Sequence, residues 1–161
     1  MTPDLHPNLA ELAPLVGRWS GRGAGKYPTI TSFEYLEEVT FSHIGKPFLS
    51  YTQQTRSVSG DAPMHVEAGY LRVPQPGRVE FVLVHPTGIT EIEVGGYTVA
   101  DGVIELDLDA TKIGLTPTAK EVTALGRAFR LEGDELSYTL DMGAVGLPRQ
   151  NHLTGLLRRT G

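Results

Sequence analysis

The chain contains no cysteine. Its fold therefore uses no disulfide, and no thiolate is available as a nucleophile or metal ligand. It also has no Lys- or Arg-rich run, and its formal charge is −5 at pH 7. That balance argues against nucleic acid or an anionic membrane as a partner. No apolar run approaches the length of a membrane-spanning helix, and Met1-Thr2-Pro3-Asp4-Leu5 has neither a basic start nor an apolar h-region. A cytoplasmic protein that does not enter the membrane is the expectation.

Several catalytic signatures are missing as well. There is no G-x-S-x-G elbow and no H-E-x-x-H pair, so nothing points to hydrolase chemistry. Asp107-Leu108-Asp109 opens like a calcium loop, but Lys112 stands where that loop needs glycine. Gly21-Arg22-Gly23-Ala24-Gly25 runs on into Tyr27, Pro28 and a further strand, which leaves no helix N-terminus to hold phosphate.

What the chain has in quantity is punctuation. Nineteen glycines and eleven prolines are spread through 161 residues. That is the pattern of many short strands rather than of a linker. A chain of this length forms one domain, 1–161, and buries about two thirds of its unfolded surface.

The one predicted helix comes first: Leu9, Leu12, Ala13 and Val16 recur at helical spacing, Asp4 and Asn8 offer caps, Pro14 limits its length and Gly17 stops it. Strands are predicted at Arg18–Lys26, Ile30–Ile44, Phe48–Val58, Met64–Val73, Val79–His85, Ile89–Val99, Val103–Asp109, Lys120–Leu131, Glu135–Val145 and Gln150–Arg158. Asp101-Gly102 reads as a two-residue hairpin turn, and Ala110–Thr118 as a longer loop. Ten antiparallel strands on local connections are most economically an all-β, closed up-and-down barrel with a short N-terminal helix, because closure removes exposed strand edges.

The first strand has unequal faces. Gly17, Trp19, Gly21, Gly23 and Gly25 line one; Arg18, Ser20, Arg22, Ala24 and Lys26 line the other. Either chain or ligand must fill the space beside those glycines, unless they only mark bends in a curved sheet. If the first and last strands pair, alternation sets Gln150, His152, Thr154 and Leu156 beside an empty, glycine-lined wall.

Gly17-Arg18-Trp19-Ser20-Gly21-Arg22-Gly23 fits the GxWxGxG motif of the nitrobindins, and Gly25-Lys26-Tyr27-Pro28-Thr29-Ile30 extends the match. Pro117–Val122 and Asn151-His152-Leu153 also resemble that family, so the likeness covers nearly the whole chain and favours the bacterial, actinobacterial type. The resemblance implies a ten-stranded barrel, related in shape to lipocalins and fatty-acid-binding proteins, that holds one haem b per chain in an open end. Without cysteine the haem is non-covalent.

The family's single axial histidine maps onto His152, a suitable residue because neutral imidazole binds haem iron and leaves the sixth position open. The implied activity is isomerisation of peroxynitrite to nitrate, with binding of nitric oxide. Thr29 and Lys120 map onto haem contacts, the lysine toward a propionate, and Met142 and His65 onto further pocket-lining positions.

The residues alone also allow plainer roles. His152 is otherwise a core histidine, Lys120 a solvated lysine and Trp19 a plug under the barrel. His43 and His85 are expected to make local hydrogen bonds, and strict alternation puts His65 on the face of Glu67 and Leu71, opposite Met64, Val66, Ala68 and Tyr70. The rival function is an iron-free carrier of fatty acid or another apolar ligand, with Arg130 and Arg158 as candidates to hold a carboxylate. Oligomeric state is left open, a homodimer included.

Overall fold

The structure is a computed structural model that describes residues 2–161. Glycine, threonine and β-branched residues in alternating patterns give ten antiparallel strands among the described residues: β1 Gly17–Tyr27, β2 Ile30–Ser42, β3 Phe48–Arg56, β4 Pro63–Gln75, β5 Arg78–His85, β6 Ile89–Ala100, β7 Val103–Leu115, β8 Val122–Glu132, β9 Glu135–Ala144 and β10 Gln150–Arg159. Each pairs with its sequence neighbours, and β1 pairs with β10, closing the barrel as the sequence predicts. Asp101 and Gly102 both take positive φ, as a primed hairpin turn requires.

Two local expectations are corrected. The first concerns the opening helix, which is a 3-10 helix over Pro7–Leu15, capped by His6 accepting from the Asn8 N–H. Leu9, Leu12 and Leu15 are its buried residues, a spacing of three that matches 3-10 geometry, whereas Ala13 and Val16 stay outside the buried set. These leucines pack with Trp19, whose indole N–H donates to the Leu15 carbonyl at 3.0 Å. The indole plugs that end of the barrel, as expected. Among the described residues no helix is long and apolar enough to cross a membrane.

The second correction is the presumed loop at Ala110–Thr118. β7 continues through Leu115 because β6 stays paired with it, past a bulge at Thr111. Its pairing with β8 stops at Asp109–Gly126. From there the wall parts, β7 held by β6 alone and the start of β8 by β9 alone.

The two faces of β1 are as predicted, but the glycine wall is not empty. A Cβ on Gly23 would lie 2.2 Å from the Tyr35 ring, and one on Gly25 2.2 Å from the Phe33 ring. Tyr138 covers Gly155 on β10 in the same way. The glycines accommodate aromatic rings from neighbouring strands, so chain and not ligand fills the space.

Candidate functional site

Strand direction decides where the candidate residues gather. β1 runs away from the helix-capped end, so the β1–β2, β3–β4, β5–β6, β7–β8 and β9–β10 connections all lie at the far end. Thr29 is exposed in the first of these turns and Lys120 is exposed in the β7–β8 connection. His65, Met142 and His152 are half-buried near the ends of β4, β9 and β10. All five therefore belong to one mouth, beside the parting between β7 and β8.

His152 reaches the interior by an irregularity that alternation could not anticipate. Leu157 and Gly155 lie on the inner face while Thr154 and Leu156 are exposed, so the predicted set of even positions is wrong for β10. The register with β9 shifts between Asn151 and Leu153, making His152 the extra residue of a bulge. A bulge re-aims a side chain. The imidazole is turned to the Tyr27 ring, 5.5 Å away edge-on, and the Phe33 ring at 6.5 Å. Its Nδ1 is 2.9 Å from the Lys26 carbonyl. A carbonyl only accepts, so Nδ1 carries the proton and Nε2 keeps its lone pair.

Through Tyr27 this histidine adjoins an apolar cluster separate from the main core. Tyr27, Val122, Leu125, Leu140 and Ala144 are buried together, with Ile113, Met142 and Leu153 packed against them. Tyr27 ties β1 to β9: its hydroxyl accepts from the Ala144 N–H at 2.9 Å and faces the Met142 and Ala144 carbonyls. An unprotonated imidazole nitrogen next to an apolar cluster, beside a parting in the wall, is a fitting donor set for haem.

Between the two apolar clusters lies a polar layer that was not foreseen. Its centre is Arg127, buried, whose Nε reaches Glu91 at 3.0 Å and Glu93 at 2.9 Å, Nη1 reaches Glu67 at 2.9 Å and Nη2 reaches Glu91 at 3.2 Å. Arg130 and Arg158, the arginines expected near the interior, are instead exposed and paired with surface glutamates. The signal lay in the alternation itself: Arg127 shares a face with Leu125, Phe129 and Leu131, and Glu37 one with Tyr35, Val39 and Phe41.

Nearby charges and burial set these groups apart. Burial works to raise the Glu67 carboxyl, but the Arg127 guanidinium, with His65 and His85, outweighs it and holds it down at about 2. Glu37 is pushed up to about 7 by burial, against hydrogen bonds from Tyr138 at 2.6 Å and Gln53 at 2.7 Å. Glu91 and Glu93 split in opposite directions. Burial dominates at Glu93 and keeps it protonated, while Arg127 and His85 overcome burial at Glu91.

His85 is also corrected. It does not bond locally; its Nε2 meets Glu91 Oε2 at 2.6 Å and its Nδ1 meets His65 Nε2 at 3.1 Å. His65 lies on the inner face with Glu67 and Leu71, while Met64, Val66 and Tyr70 are exposed. His43 does bond locally, accepting from the Gly45 N–H.

Comparison with known proteins gives the chain a family. Residues 8–159 match the family described as "THAP4-like, heme-binding beta-barrel domain". A Mycobacterium avium protein named peroxynitrite isomerase 2 is 67% identical over 159 residues, covering 99% of both chains. Peroxynitrite isomerase 1 of Mycobacterium tuberculosis H37Rv is 64% identical over 162 residues, again with 99% of each chain. The crystal structure of Rv2717c from M. tuberculosis superposes with a TM-score of 0.96 at 64% identity, covering 98% of this chain and all of that one.

Proposed function

The chain belongs to the THAP4-like haem-binding β-barrel family, the nitrobindins, and from that premise we propose that it is a haem-dependent peroxynitrite isomerase with His152 as its axial ligand. The observation that carries the residue assignment is the Nδ1–H hydrogen bond to the Lys26 carbonyl, which leaves Nε2 as the donor. Such a second partner fixes both tautomer and ring orientation in ligating histidines. Haem, when bound, supplies a ferric iron with an open position for isomerising peroxynitrite to nitrate, and the same position takes nitric oxide.

The protein's own contribution is placement and exclusion of water. Tyr27 and Phe33 stand against the imidazole, and Tyr27 joins it to the apolar cluster that holds Leu140, Met142 and Leu153. Lys120 and Thr29, exposed at the rim, are assigned to the propionate edge, where an ammonium and a hydroxyl can donate. His65, on the inner face of β4, is assigned to the pocket lining. A cytoplasmic setting goes with the cysteine-free chain.

The carrier reading loses its anchor. The buried arginine present is Arg127, and each of its nitrogens already bonds a carboxyl of Glu67, Glu91 or Glu93, so its charge is committed to the protein's own side chains rather than to a fatty-acid carboxylate.

Titration with ferric haem tests the reading. A saturable one-to-one Soret shift, with haem affinity at least about 100-fold weaker in His152→Ala and peroxynitrite decay no faster than for free haem, is expected. Stoichiometric haem retained with an unchanged spectrum in that variant would remove His152 from the iron.

A further inference from the structure

We propose that His65, Glu67 and His85 form a second metal site, for a zinc-class divalent cation, on the wall opposite His152. In the cyclic strand order β5, which carries His85, lies five strands from β10, and β4, with His65 and Glu67, lies next to β5. The two sites therefore face each other across one mouth.

Three potential donor atoms converge there. His65 Nε2 and His85 Nδ1 are 3.1 Å apart, His65 Nε2 and Glu67 Oε1 3.5 Å, and His85 Nδ1 and Glu67 Oε1 3.9 Å. A point equidistant from all three lies about 2 Å from each, the bond length that zinc takes to imidazole nitrogen and carboxylate oxygen. Two imidazoles and one carboxylate also form a donor set that suits zinc and its neighbours better than calcium or magnesium.

The outer partners are already in place. His85 Nε2 is held by Glu91 at 2.6 Å, which puts the proton on Nε2 and directs the Nδ1 lone pair to the proposed ion, a carboxylate–histidine–metal relay. Glu67 Oε2 accepts from Tyr51 at 3.1 Å and Arg127 at 2.9 Å, so Oε1 is left to ligate. Metal binding asks His65 only to carry its proton on Nδ1, and that side chain is 33% exposed, open to water for the exchange. Among the described residues no fourth His, Cys, Asp or Glu joins the group, as in zinc sites that keep one place for water or an anion.

Equilibrium dialysis against Zn²⁺, run on the protein with and without bound haem and on each variant without haem, and read by elemental analysis, tests the site apart from the haem assignment. One zinc per chain is expected, with affinity at least tenfold weaker in both His65→Ala and Glu67→Gln and unaltered in His152→Ala. His65 is half-exposed, so His65→Ala keeps the test valid if Glu67→Gln misfolds, with circular dichroism checking both. No saturable uptake, uptake unchanged in His65→Ala, or loss confined to His152→Ala would overturn the proposal. The last result would mean that zinc had occupied the haem ligand.

Discussion

Arg127 is the side chain on which the interior most depends. Removing one partner of a buried ionic set leaves the others uncompensated, at a cost of about 3–5 kcal/mol. Arg127→Met is therefore expected to lower the unfolding free energy by about that amount at pH 8, as measured by urea denaturation. The loss should be smaller at pH 5, because without the guanidinium the buried carboxyls take up protons more readily in the folded state. Equal losses at both pH values would show that Glu67 and Glu91 are not held ionised by Arg127. His152 works by a different means, a single proton on Nδ1 committed to the Lys26 carbonyl.

Among the strands, β10 carries the bulge on which the proposed haem ligand depends. It places His152 and Leu153 together opposite Leu140, whereas regular pairing would turn the imidazole outward. Deleting Asn151 lets His152 take the place opposite Asp141, which makes the pairing regular and turns the imidazole outward; it should keep the barrel while weakening haem affinity at least tenfold, with the far-ultraviolet dichroism unchanged and the Soret titration reporting the loss. Native haem affinity in the deletion variant would mean that the ring's direction does not depend on the bulge. The helix segment works at the other end: Leu9, Leu12 and Leu15 seal the barrel base over Trp19, well away from the mouth.

For the molecule as a whole, the buried carboxyls set the pH dependence. Glu37 lies at about 7 in the folded state against an ordinary 4.5. Its contribution is thus full below about pH 4.5 and is lost as pH rises through 7, a change of at most about 3 kcal/mol. Glu93, raised by burial, acts in the same direction at higher pH. Glu67, held at about 2, acts oppositely: its contribution is present above pH 4.5 and is lost as pH falls toward 2. Thermal melts should show greatest stability near pH 5 and a decline toward pH 8, with Glu37→Gln flattening the portion between pH 5 and 7.5. An undiminished decline in that variant would assign the effect to other groups.

Local spacing was enough to determine the strand count, the antiparallel order, the inner face of β1 and the Asp101-Gly102 turn, because these depend on the two-residue strand period and on backbone preferences of neighbouring residues. The GxWxGxG motif and Asn151-His152-Leu153 likewise carried the family in the sequence itself, and with it the proposal of His152 as the haem ligand. Only the closed barrel decided the rest. A register shift in β10 turned His152 inward, rings from β2 and β9 filled the glycine wall, and Arg127, Glu67, Glu91 and Glu93, separated by up to 60 residues, became one charged layer. Such contacts arise between strands that meet only on closure, where burial and pairing, not sequence proximity, determine which charges share an interior.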